Sequence, residues 1–178
     1  MRSFLTIGTL SCLGLCLPAV ATVVSVATNG CTVRQTVHLA APPQQVYDAL
    51  IEPAKWWSPE HTFSHDSTNL TLDARAGGCF CEKLPGGGSA EHMTVVFASP
   101  GKALTLRGAL GPFQGQAVEG ALSWVLTPAG TQTDLTMTFT LGGYLTLAGG
   151  FEKWATLADT VFTVQVARLQ KFVNASKS

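Results

Sequence analysis

The chain has 178 residues, of which 46% are hydrophobic and only 12% are charged, and its 11 basic side chains balance its 11 acidic ones. This length suits one domain that buries a substantial core. Lysine and arginine are not clustered, so the composition excludes a protein that binds nucleic acid or an anionic membrane surface.

The first residues have the pattern of an export signal. Arg2 precedes a nearly unbroken apolar run from Phe4 to Val20, as in a secretory signal peptide. The small residues that follow predict cleavage after Ala21, or as late as Ala27. A retained membrane anchor and a lipid-modified cysteine are the alternatives. We expect residues 1–21 to be removed, which leaves a periplasmic or secreted protein without a stable membrane span, and a single domain over residues 31–175.

Three cysteines, Cys31, Cys79 and Cys81, remain in a compartment that is expected to be oxidising. An odd number allows one disulfide and one free thiol, or three free thiols. Cys79 and Cys81 share one face of a predicted strand, but a ring that small would be strained. We therefore expect Cys31 to pair with one of them. A metal site of Cys79, Cys81 and a histidine is a weak alternative without a second ligand pair, so no metal and no cofactor are predicted.

The first elements are a strand and two short helices. Thr32 to Leu39 alternates between apolar and polar residues, which predicts a strand. Two prolines then precede a short helix over Gln44 to Ile51, and Pro53 ends it. Lys55-Trp56-Trp57 is typical of another helical turn, followed by a loop.

The rest of the chain predicts a sheet and one long helix. From Asn69 to Leu141 the apolar residues recur at every second position between glycine and proline turns, which predicts antiparallel strands with one polar face. Phe151 to Asn174 contains no proline or glycine and has apolar residues at helical spacing. A helix of this length spans roughly 33 Å, enough to cross the sheet.

Four segments resemble a known family. They are Ala41-Pro42-Pro43-Gln44-Gln45-Val46-Tyr47-Asp48-Ala49-Leu50, Lys55-Trp56-Trp57, Ala76-Gly77-Gly78-Cys79-Phe80 and Ser99-Pro100-Gly101-Lys102-Ala103-Leu104. With the order of elements, they resemble the START-like, or SRPBCC, superfamily, nearest to its heat-shock chaperone activator and bacterial polyketide cyclase-like branch. In that branch arginines often follow the glycine pair, whereas this chain has Cys79 and Cys81, so no site role is carried over.

The resemblance implies an α+β helix-grip fold. A curved antiparallel sheet of about six to seven strands would wrap around the long C-terminal helix, with two short helices after the first strand and a hydrophobic cavity between sheet and helix. The predicted cavity residues are Trp57, Val95, Phe97, Leu106, Trp124, Met137, Phe139, Tyr144, Trp154, Val161 and Phe162. Any one of them could instead simply fill the core. Tyr144 is the favoured polar-tipped residue for the rim.

Ionisable candidates for catalysis are few. The alternation places Gln35 inward, but no charged residue is clearly inward. Glu82 would face inward only if a bulge at Gly77-Gly78 shifts the strand's phase, and His92 could lie at the mouth of the cavity. His61 and His65 could bind a metal if their segment were helical, but its composition favours a loop.

The sequence therefore predicts an exported protein that binds or carries a small apolar ligand such as a lipid, a polyketide or an aromatic metabolite. The alternative is a cyclase or hydratase-type enzyme that uses the same cavity with Tyr144, Glu82 or His92. Activation of a cytosolic chaperone would not fit an exported protein. We expect a monomer or a weak dimer.

Overall fold

The computed structural model describes residues 20–175, so most of the predicted export signal lies outside the described residues. Within that range, eight strands form one antiparallel sheet: β1 (Val20–Ala27), β2 (Gly30–Leu39), β3 (Leu70–Leu72), β4 (Cys79–Lys83), β5 (Ser89–Ser99), β6 (Ala103–Gly108), β7 (Ala117–Ala129) and β8 (Gln132–Tyr144). The helices are α1 (Pro43–Leu50), α2 (Pro53–Trp56) and α3 (Gly150–Ala175). Short 3-10 helices cover Pro59–His61, Ser67–Asn69, Pro85–Gly87 and Gly111–Gly115.

The sheet confirms the predicted helix-grip architecture. Its strand order is β1-β2-β8-β7-β6-β5-β4-β3, with α3 packed against the sheet and closest to β2 and β1. The described sheet has eight strands rather than six or seven. β1 is not among the predicted strands, because its small and β-branched residues continue the apolar run of the export signal. In the structure β1 pairs with β2 from Val20 opposite Thr36 to Ala27 opposite Gly30.

The two faces of the sheet have opposite character, as the alternation predicts. The inner face carries apolar side chains that are completely buried, such as Val33, Leu104 and Leu135. Removing these side chains from water is the main source of stability. The outer face carries exposed pairs, including His38 with Asp134. Such exposed pairs add little stability, so the fold depends on the inner face.

Two bulges interrupt β5 and change which residues face inward. In pairing with β4, Phe80 lies opposite Met93 but Cys81 lies opposite Glu91, so His92 is an extra residue and is buried together with Met93. A bulge of this kind re-aims side chains.

The second bulge makes the predicted position of Phe97 wrong. Val95 pairs with Leu106, whereas Phe97 pairs with the adjacent Thr105, so Val96 is the extra residue. The insertion reverses the phase of the strand. Phe97 is consequently on the outer face and 54% exposed.

The predicted cysteine pairing is also wrong. Cys79 and Cys81 form a disulfide, with their Cα atoms 5.4 Å apart, within the usual range for disulfides. Cys31 is a buried free thiol on β2, and strands β8, β7, β6 and β5 lie between it and β4. The two cysteines are two residues apart on β4 and therefore lie on the same face of the strand. Burial raises the pKa of the Cys31 thiol.

None of the helices in residues 20–175 combines the length and the apolar character that a membrane span requires.

Candidate functional site

A cavity of about 420 Å³ lies between the first half of α3 and the inner face of the sheet. The segments 57–63 and 110–113 form its remaining walls. Its lining residues are Trp57, Glu60, His61, Thr62, Phe63, Phe80, His92, Leu110, Gly111, Pro112, Phe113, Phe139, Trp154, Leu157, Ala158, Val161 and Phe162. The volume lies within the range of small-molecule sites, and the mainly apolar lining with few polar groups is typical of them.

Aromatic rings make up much of the cavity wall. Phe139 packs on Phe162 with their ring centroids 5.2 Å apart, and Phe113 meets Trp154 edge-on at 5.6 Å. Trp57 and Phe80, which also line the cavity, meet edge-on with their ring centroids 5.5 Å apart. These contacts fix the rings, so the cavity has a preformed shape.

Five residues predicted for the cavity do line it: Trp57, Phe139, Trp154, Val161 and Phe162. Leu106 and Trp124 instead border a separate apolar gap of about 20 Å³. Val95 and Met137 are completely buried in the core. Phe97 faces outward, as described above.

The expectation that Tyr144 forms the rim of the cavity is wrong. β8 extends through residue 144 in unbroken register with β7, and Tyr144 lies opposite Ala117. The inward positions of β8 are odd-numbered, as at Phe139 and Leu141, so residue 144 falls on the outer phase. Its side chain is 73% exposed.

A buried carboxylate and a histidine meet at the cavity wall. Glu82 accepts the backbone N–H of Ser64 at 2.5 Å and that of Phe63 at 3.1 Å. His92 Nε2 lies 2.9 Å from the same carboxylate, and both side chains are buried. Burial alone raises the pKa of the Glu82 carboxyl, but the hydrogen bonds from Ser64, Phe63 and His92 outweigh it and leave the pKa below its ordinary value.

The hydrogen bonds of His92 determine its tautomer. Gln114 Nε2 donates to the backbone carbonyl of Glu91 at 2.9 Å, which fixes the orientation of that amide. The same nitrogen lies 3.3 Å from His92 Nδ1, so Nδ1 accepts and Nε2 carries the hydrogen that faces Glu82. Both ring nitrogens of His92 are therefore engaged with the protein.

The segment that carries His61 is held by α3. Arg168 donates to the carbonyl of Trp56 at 2.7 Å, and the N–H of Ser58 donates to Gln165 at 2.8 Å. Gln165 Nε2 in turn lies 2.7 Å from His61 Nδ1. His65 is exposed at a positive φ of 58° and does not line the cavity. Across residues 20–175, no three histidine, cysteine, aspartate or glutamate residues are grouped to hold a metal ion.

Sequence reasoning missed part of the cavity, notably Phe63, Phe113 and Ala158. Phe63 and Phe113 belong to irregular segments without periodicity, so no pattern pointed to them. The inward turn of His92 depends on a bulge that has no glycine or proline beside it.

Comparisons with solved structures show the same fold. A protein from Rhizobium leguminosarum superposes with a TM-score of 0.61 at 17% identity, over 82% of this chain and 95% of its own. CalU16 from Micromonospora echinospora gives 0.56 at 15% identity, over 90% and 85%. Aha1 from Colwellia psychrerythraea gives 0.53 at 17% identity, over 83% and 98%.

A search of the curated proteins found no match. A family model described as "Polyketide cyclase / dehydrase and lipid transport" matches residues 30–176. This match confirms the resemblance to the SRPBCC superfamily. With the apolar cavity, the description indicates a role in hydrophobic-ligand binding or a cyclase-type role. The chain belongs to the polyketide cyclase / dehydrase and lipid transport family.

Proposed function

We propose that the protein is an exported carrier that binds one small apolar molecule in the cavity between α3 and the sheet. The cavity itself is the observation that carries the proposal, because about 420 Å³ of space is lined mainly by aromatic and aliphatic side chains. Transfer of an apolar molecule from water into such a space is favourable.

Export is supported by the N-terminal pattern and by the disulfide between Cys79 and Cys81, since disulfides persist in oxidising compartments. Cleavage after Ala21 fits the fold better than cleavage after Ala27. The earlier site leaves the β1 residues Thr22–Ala27 available to pair with β2, whereas the later site removes the whole strand.

Filling the cavity tests the carrier. Ala158 is buried on the cavity face of α3, whereas Ala167 is exposed on the same helix. The probe ligand is acetylnaphthalene, a small aromatic ketone. We expect Ala158→Phe to lower the affinity of the protein for this probe by at least about tenfold, or roughly 1.4 kcal/mol. The tryptophans Trp57 and Trp154 line the cavity, so quenching of their fluorescence measures binding.

Ala167→Phe is the matched control and should bind like the unmodified protein, while circular dichroism checks that both variants fold. Equal affinities of the two variants, or no binding of the probe by the unmodified protein, would contradict the proposed carrier.

The buried pair of Glu82 and His92 favours a second candidate, an enzyme of the cyclase or hydratase type. A histidine that is hydrogen-bonded to a carboxylate can take up a proton. As the base, His92 would remove a proton from the methyl group of bound acetylnaphthalene and give an enolate, which would take up a deuteron in deuterated water. His92 could act only after Gln114 withdraws from Nδ1, which favours the carrier.

Hydrogen–deuterium exchange at the methyl group of acetylnaphthalene separates the two candidates. An enzyme should accelerate the exchange above the rate in buffer, and His92→Phe should abolish the acceleration. A carrier should bind the probe and leave the exchange at the buffer rate, which is the result we expect.

A further inference from the structure

We propose that His61 donates the hydrogen bond that selects the ligand, and that the ligand is an uncharged apolar molecule with a carbonyl or similar acceptor oxygen. The inference rests on the proposed binding function and specifies which chemical group the cavity recognises. The proposal rests on a relay of hydrogen bonds that runs from the backbone of Ser58 through Gln165 of α3 to His61 at the cavity wall.

The relay begins at a group that can only donate. The backbone N–H of Ser58 points to Oε1 of Gln165 at 2.8 Å. This contact fixes the orientation of the amide, because an amide oxygen must face an N–H. Gln165 is completely buried, so its side chain is held by these protein contacts.

The amide then sets the tautomer of the histidine. Gln165 Nε2 lies 2.7 Å from His61 Nδ1 and has only hydrogens to offer. Nδ1 therefore accepts, and the single N–H of the imidazole is on Nε2. His61 lines the cavity, and within residues 20–175 its Nε2 has no hydrogen-bond partner. The ring thus offers one oriented donor to a ligand.

The other polar groups of the cavity are less suited to this role. Both nitrogens of His92 are engaged by Glu82 and Gln114. The hydroxyl of Thr62 donates to the carbonyl of Pro59 at 2.7 Å. The indole N–H groups of Trp57 and Trp154 donate to the carbonyls of His61 and Ala148. Among the lining side chains of residues 20–175, His61 is therefore the donor that remains for a ligand.

The charge at the cavity favours a neutral acceptor over a carboxylate. Glu60 lines the cavity, and no lysine or arginine is among the described lining residues. An anionic ligand would lose its hydration and face a like charge without a cationic partner. A ketone, ester or quinone oxygen accepts the N–H of His61 without that cost.

A matched pair of probes tests the proposal. Acetylnaphthalene carries a carbonyl, whereas ethylnaphthalene has similar size and no acceptor. We expect His61→Phe to lower the preference for the ketone, measured as the ratio of the two Kd values, by about three- to tenfold, as the loss of one buried hydrogen bond predicts. His61→Gln, which keeps an N–H near the position of Nε2, should retain part of the preference.

His38→Phe is the control, because His38 is exposed on the outer face of the sheet. It should leave the ratio unchanged. Naphthoic acid, the carboxylate analogue, should bind more weakly than acetylnaphthalene. An unchanged ratio in His61→Phe would overturn the proposal, as would tighter binding of the acid.

These outcomes are distinguishable from failure of the carrier function. If both neutral probes bind and Ala158→Phe blocks them, the cavity binds ligands whatever the result for His61. A long-range proton–nitrogen NMR spectrum gives an independent readout, since Nδ1 of His61 should show no attached hydrogen. A hydrogen on Nδ1 would overturn the proposed tautomer.

Discussion

At the scale of single residues, Glu82 connects the sheet to the loop that closes the cavity. Its carboxylate receives two backbone N–H groups of that loop, from Phe63 and Ser64, and a ring nitrogen of His92. The ring of Phe63 also stacks on His92 with centroids 5.6 Å apart. Because Phe63 and His92 both line the cavity, this carboxylate determines the position of one cavity wall.

Glu82→Gln should destabilise the protein by about 1–3 kcal/mol, since the amide offers one acceptor where two oxygens served three donors. Folding lowers the pKa of Glu82 below its ordinary value of 4.5. Its stabilisation is therefore complete above that pH and is lost as the pH falls through the lower pKa of the folded state. Urea unfolding at neutral and acidic pH measures both effects.

Glu119→Gln is the control for this variant, because Glu119 forms only an exposed pair with Arg107 and should contribute less than about 1 kcal/mol. The difference in stability between Glu82→Gln and the unmodified protein should shrink at acidic pH. Equal stabilities of the two variants at neutral pH would refute the role assigned to Glu82.

At the scale of secondary structure, the sequence predicts regular elements well and irregular ones poorly. The uninterrupted apolar spacing predicts the long helix over residues 151–174, and the structure has it at Gly150–Ala175. The β5 bulges were not predictable, since an extra residue in a strand leaves no compositional mark. They account for the outward position of Phe97 and the inward position of His92.

The candidate site was predictable to the same extent. Residues on regular elements, such as Phe139 and Phe162, lie on the cavity surface, on the inward phase that the apolar spacing predicts. His61 and Phe113 reach the cavity from short irregular segments, and their positions depend on contacts distant in sequence. Gln165 of α3 holds His61 by a hydrogen bond, and no local sequence pattern encodes such a contact.

At the scale of the whole molecule, the sheet has a filled part and an open part. Trp56 and Trp124 pack edge-on with centroids 6.3 Å apart and leave a gap of only about 20 Å³. The large cavity lies where the first bulge of β5, at His92, and the segments 57–63 and 110–113 replace regular packing. The compact part can supply stability, so that the open part can keep space for a ligand.

The export proposal makes a prediction about the whole mature protein. We expect protein collected outside the cytoplasm to begin at Thr22 and to take up one alkyl group when it is denatured without reduction, because Cys31 is its single free thiol. After reduction it should take up three. In the folded state it should take up none, since Cys31 is buried and its pKa is raised.

Intact mass spectrometry identifies the first residue of the mature protein and counts its alkylated thiols in the same experiment. A mass that retains residues 1–21 would contradict cleavage at Ala21, whereas three reactive thiols before reduction would contradict the oxidised pair on β4.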